Sequence, residues 1–215
     1  EYFSKGGPSR ERVLYAESRD GIEWEKPLLG IHKIDGNDTN AVINPPEVMV
    51  SCPSVMLDPV EEDPSRRFKM SYLRIDRRDS QGRKSGTPGG LWLNYSGDGK
   101  NWKPADSKAL IPEWRGDVST LTYDPIDEKY VLHGRFGRSA RDTRHPDMDN
   151  WFCPVYPVPP EGVWSTRRRS YVTESPDMIE WTDPELLWDP DENDNIDDAF
   201  YCFIPWRADE MHLGI

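Results

Sequence analysis

The chain is poor in several features that most readily declare a function. It has only three cysteines in 215 residues, Cys52, Cys153 and Cys202, too scattered for a zinc motif. An odd count leaves at least one thiol unpaired within the chain, and such residues read as small buried hydrophobes. No apolar run approaches the ~18 residues of a spanning helix, so no membrane span is expected. Helical periodicity is almost absent, which argues against a helical fold. Basic residues are also short: 27 Lys and Arg stand against 39 Asp and Glu, for a formal net charge of −12. That argues against general nucleic-acid binding, which needs a basic footprint. No signal peptide is visible, but the chain opens at Glu1 rather than Met, so this absence says nothing about secretion.

What is present points to strands. Nine Trp and nine Tyr supply large buried areas although hydrophobic residues make up only 35%. Twenty Pro and sixteen Gly fit an all-β chain with many turns, and the length suits one domain. A motif then recurs: Ser18-Arg19-Asp20-Gly21-Ile22-Glu23-Trp24, Ser96-Gly97-Asp98-Gly99-Lys100-Asn101-Trp102 and Ser175-Pro176-Asp177-Met178-Ile179-Glu180-Trp181. Its aspartates lie 78 and 79 positions apart, the mark of a repeat architecture. Each copy follows an alternating run such as Leu91, Leu93 and Tyr95, which reads as a strand. Ser and Asp bond the backbone two residues on and Gly permits positive φ, so the segment reads as a tight turn. The Trp opens the returning strand, and Pro27, Pro104 or Pro184 closes it, since Pro cannot donate to a ladder.

A second repeat lies between the copies. Ser54 to Pro59 precedes Arg67 to Tyr72, and Thr120 to Pro125 precedes Lys129 to Leu132; both read as strand, Asp-Pro turn, strand. The full unit is four antiparallel strands, a β-propeller blade, with the surplus length in loops. Residues 10–30 are expected to supply an outer half-blade, 51–112 and 117–190 a blade each, and 198–215 the start of the next. That gives about two complete blades and two partial ones in a single domain. A closed propeller needs at least four, so a longer protein or another chain is expected to supply the missing blades.

Strand direction sorts the motifs by face. Both turns fall at one end of a blade and are structural; the innermost-strand starts and the long loops fall at the other. Seven residues before Asp58 and Asp124 stand Ser51 and Asp117, and seven before Pro205 stands Asp198. Asp117 and either Asp197 or Asp198 are therefore expected to converge near the axis. Paired carboxylates are the equipment of glycoside hydrolysis, one protonating the leaving oxygen while another attacks or activates water. Arg115, with Trp114 beside it, is placed to keep a carboxylate ionised or to bind a hydroxyl. The competing reading is that Asp117 caps a turn and residues 191–198 form a solvated acidic loop. Loops 74–90 and 135–169 hold twelve basic residues, Arg74 and Arg135 among them, against six acidic ones. A cationic mouth favours an anionic glycan, and ordinary solvated charge is the alternative. Trp151 and Trp164 sit among prolines in the longer loop, suited to sugar stacking or to covering a blade edge. His133, just before Arg135, is either structural or a ligand contact. No metal set is evident; Ca²⁺ is compatible with the carboxylates but no spacing requires it.

Three segments carry a resemblance to the five-bladed β-propeller glycoside hydrolases, the group that includes families 32, 43 and 68. They are Leu14 to Pro27, Asp124 to Tyr130, and Asp189 to Glu192 with Asp197 to Tyr201. The resemblance implies a glycosidase with an acidic triad at the innermost-strand starts; no cofactor is expected. Asp117 would be the transition-state-stabilising residue and Asp198 or Asp197 an acid or base. The matching start at Ser51-Cys52 is not acidic, and Glu47 is the nearest carboxylate. The group also implies a secreted or periplasmic protein acting on an oligo- or polysaccharide. A non-catalytic glycan-binding propeller and a protein-interaction scaffold are the rival readings.

Overall fold

The structure, a computed structural model, describes residues 12–43, 49–75, 90–106, 110–112, 118–134, 170–188 and 204–214. Among them there is no helix, and every strand pairing is antiparallel. The chain divides into two compact units, Glu1–Trp114 and Arg115–Ile215.

The first unit holds β1 (Val13–Leu14), β2 (Lys33–Ile34), β3 (Asn37–Asp38), β4 (Ala41–Ile43), β5 (Met49–Leu57), β6 (Phe68–Ile75), β7 (Gly90–Ser96), β8 (Lys103–Pro104) and β9 (Ile111–Pro112). Strands β5, β6, β7 and β8 pair in that order, with β9 also on β7. β8 meets Asn94 and Tyr95, while β9 meets Gly90 and Leu91. The two short pieces thus lie along the same edge of β7. The first motif copy repeats the device. Glu17 bridges Glu25, and Val13 and Leu14 then pair with Ile43 and Ala41. Between the Glu25 bridge and β4 the chain makes the β2–β3 hairpin. The pairing that begins within residues 10–30 therefore continues to Ile43.

The second unit holds β10 (Ser119–Asp124), β11 (Lys129–Gly134), β12 (Ser170–Ser175) and β13 (Glu185–Trp188), paired in that order, and a hairpin of β14 (Pro205–Ala208) and β15 (Met211–Gly214). The sequence reading aligned Pro205 with the Asp of the Asp-Pro turn. Instead Pro205 opens β14, and the turn falls at Asp209-Glu210 with Asp209 at φ 58. Pro at the first residue of a strand gives up no ladder bond that an interior position would need. The seven-residue count that selected Asp198 therefore does not run to a turn.

The middle strands of the first sheet are buried on both faces. Met70, Tyr72 and Trp92 lie on one face at 5% exposure or less, and Ser71, Leu73, Leu91 and Leu93 on the other at 3% or less. An antiparallel sheet with one solvated face would alternate instead. Val13 and Ile43 from the β1–β4 ribbon, with Trp102, pack against the Val50, Met70, Tyr72 and Trp92 cluster. The ribbon thus covers that face of the sheet.

The motif turns form as their residues dictate. Ser96 Oγ donates to Asp98 Oδ1 at 3.0 Å and accepts from the Gly99 amide at 2.9 Å; Asp98 Oδ1 accepts from the amides of Lys100 and Asn101 at 2.8 and 2.7 Å. The same bonds recur around Asp20 and Asp177. Trp102 Nε1 closes the second turn by donating to Gly99 O at 2.9 Å, and Trp24 does the same to Gly21 O. Gly21 and Gly99 have φ of 76° and 73°, left-handed backbone that glycine enters freely. Met178 takes that position in the third copy at φ 63, which costs about 1–2 kcal/mol. Its side chain is 5% exposed, and burying a methionine contributes about 1.5–3 kcal/mol, enough to offset the strain.

Candidate functional site

Register fixes which end of each sheet carries which feature. Leu57, Phe68 and Ser96 stand side by side, so the Asp58-Pro59 turn and the Ser96–Trp102 turn share one end. The two touch: Arg67 Nε donates to Gly97 O at 2.8 Å. In the second unit Asp124 pairs with Lys129, and Tyr130 with Ser175, giving the same arrangement. The opposite end of the first sheet holds Met49, Ile75, Arg74 and Gly90; that of the second holds Ser119, Gly134 and Tyr171.

The aspartates at the turn end are committed to structure. The Asn101 amide above all, then the Asn101 side chain and the Lys100 amide, hold the Asp98 carboxyl far below the usual range. Backbone amides hold Asp20 and Asp177 below it likewise, led by Ile22 and Glu180 respectively. A carboxylate so loaded with donors stays ionised and has no proton to give at neutral pH. The Asp-Pro aspartates are buried at 4% and each meets a cation. Lys69 Nζ lies 3.1 Å from Asp58 Oδ2 and 2.6 Å from Glu61 Oε2, and Arg207 Nη1 lies 2.8 Å from Asp124 Oδ2. Burial pushes the Asp124 carboxyl up; the amides of Ile126 and Asp127 and the Arg207 guanidinium outweigh it, leaving it below its ordinary value.

The opposite end is where the sequence places chemistry. Asp117, Asp197, Asp198, Arg115, Trp114, Glu47, Arg135, Trp151 and Trp164 lie outside the described residues. Asp117 precedes by two positions Ser119, the first residue of β10. His133 sits on β11 between Thr120 and Val172 and is 8% exposed, so it presents little surface to a ligand. Ser51 falls on the third residue of β5 rather than its start, at a register shift that runs to Ser54. Cys52 in that bulge has φ 48, and its thiol lies 3.5 Å from Ser51 Oγ. It is partly exposed rather than the buried hydrophobe expected. Nothing in the residue types Ser-Cys-Pro announces left-handed backbone; only the pairing reveals it. Bulges re-aim side chains and are over-represented beside active sites.

No group of three or more His, Cys, Asp or Glu side chains is placed to hold a metal ion among the described residues. No helix among them is long and apolar enough to cross a membrane. The chain matches no protein-family model and no curated protein.

Proposed function

We propose that the chain contributes blades to a carbohydrate-active β-propeller of the five-bladed type, a glycoside hydrolase that cleaves its bond with carboxylates at the inner-strand starts. In this reading Asp117 stabilises the transition state and Asp198 or Asp197 serves as acid or base. One observation carries the reading. In both units a four-strand meander puts both motif turns at one end and the inner-strand start at the other. Burial of β6 and β7 on both faces supports it, because a propeller blade is flanked by neighbours on each side. The ribbon of β1 and β4 against one face is what an adjacent blade would provide.

The glycan-binding reading draws on a separate observation. Ser51 and Cys52 occupy the place where a complete acid set would have a carboxylate. The two readings part on turnover. Incubated with neutral and uronic-acid oligosaccharides, the protein is expected to release new reducing ends and to bind the acidic sugars more tightly. Saturable binding with no release selects the binding module. Neither binding nor release with any sugar contradicts both.

A further inference from the structure

At the open end of the first sheet one arginine stands in an unusual setting. Arg74 pairs with Gly90 and Tyr72 with Trp92, so Arg74 and Trp92 share a face of the sheet on adjacent strands. The Arg74 guanidinium carbon lies 4.0 Å from the Trp92 ring centroid. Trp92 is 4% exposed and Arg74 is partly buried. Both Arg74 Nε and Trp92 Nε1 are buried with no hydrogen-bond partner. Deeply placed cations elsewhere are answered: Lys69 by Asp58 and Glu61, Arg207 by Asp124. Among the described residues no carboxylate answers Arg74.

This arrangement costs stability as it stands. A desolvated cation wants a counter-ion, and a buried donor left unpaired keeps its full desolvation penalty. Burial accordingly pulls the Arg74 guanidinium below its ordinary value, yet a guanidinium stays charged throughout the physiological range. The guanidinium lies over the indole as a cation–π pair. A guanidinium fork presents parallel N–H donors, which match a planar carboxylate in a bidentate fashion.

We propose that Arg74, held over the Trp92 ring, is the group that reads the carboxylate of a uronic-acid-bearing glycan at this end of the sheet. The inference rests on the carbohydrate reading above and adds the charge and shape of the sugar's acidic group. Sulfated sugars share the anionic chemistry but offer a tetrahedral group, so the two sources separate by experiment.

Titration calorimetry with oligogalacturonate, its neutral methyl ester and a sulfated oligosaccharide tests this on the wild-type protein, Arg74→Gln and Arg74→Lys. The acid form is expected to bind about tenfold or more tighter than the ester, the advantage of a hydrogen bond to a charged group. In Arg74→Gln that ratio falls toward one, and Arg74→Lys recovers part of it, having the charge without the fork. An unchanged ratio in Arg74→Gln overturns the inference, and so does a preference for the sulfated sugar. Equal binding of acid and ester by the wild type overturns it while leaving the carbohydrate reading intact; failure of every sugar to bind overturns both. Should Arg74→Gln lose its thermal transition, the wild type still decides. Its preference for the acid must weaken as salt is raised, and a salt-insensitive preference contradicts an ionic contact.

Discussion

Replacing Lys69 with Ala is expected to lower the unfolding free energy by about 3–5 kcal/mol, the cost of breaking a buried ion pair from one side. The side chain is 2% exposed, donates to Arg66 O at 3.1 Å and to Glu61, and lies 3.1 Å from an Asp58 side chain at 0% exposure. Its ammonium also stands 4.7 Å from the Tyr95 ring centroid. With the ammonium gone, Asp58 keeps the Val60 amide at 3.1 Å but loses the Lys69 charge at a position only 4% exposed. Against a typical total of about 5–15 kcal/mol this is a large share. Urea unfolding measures it, and a loss below about 1 kcal/mol would show the pair to be worth no more than a surface one. The double substitution Asp58→Asn with Lys69→Met removes both charges and is expected to cost less than Lys69→Ala alone. The pair also has a pH signature. The Lys69 bond, more than any other contact, holds the Glu61 carboxyl below its ordinary value. A depressed carboxyl contributes stability that is complete above its unfolded value of about 4.3 and is lost as pH falls through the folded one. Acid sensitivity in that window is therefore expected to flatten in Lys69→Ala.

The second large effect is catalytic. In the proposed hydrolase Asp117→Asn is expected to lower turnover by about 10²–10⁴, the contribution of a positioned acid or base, with little change in thermal stability. The size follows from the chemistry. Asn preserves volume and hydrogen bonding but carries no negative charge to set against a developing oxocarbenium ion. Asp98→Asn is the control at the turn end. Oδ1 is kept to accept the Lys100 and Asn101 amides, while the Asn101 side-chain bond to Oδ2 at 2.8 Å is lost. That variant is expected to unfold more readily and to turn over normally while folded. Unchanged turnover in Asp117→Asn, with hydrolysis demonstrated, removes Asp117 from the mechanism.

The turns were legible because their chemistry is local. Ser96, Asp98 and Gly99 find every partner within three residues, so residue type alone specifies the bend. The meander was legible because Leu91, Leu93 and Tyr95 alternate and the turn residues bracket them. What escaped depends on partners distant in sequence. Lys69 reads as the polar member of an alternating strand. Its burial comes from Glu61 and Asp58, eight and eleven positions back, brought over by the Asp-Pro turn. The strand beyond Glu25 escaped because a three-residue piece such as Ala41–Ile43 has no period to read; its pairing with β1 defines it. Pro205 misled because Pro marks turns and strand starts alike. Of the site, direction along each strand was readable and became the sidedness of the sheets. The contact of Arg74 with the Trp92 ring was not, since it rests on the register that sets Tyr72 opposite Trp92.

Hydrogen exchange in the presence of saturating oligogalacturonate tests most directly which end of the sheets receives the sugar. The account predicts slowed amides at the end of the first sheet opposite its turns, around residues 49–52, 72–75 and 90–92, with the turns at 96–102 and 175–181 exchanging as in the free protein. Slowing confined to those turns, with the open end unaffected, would contradict it.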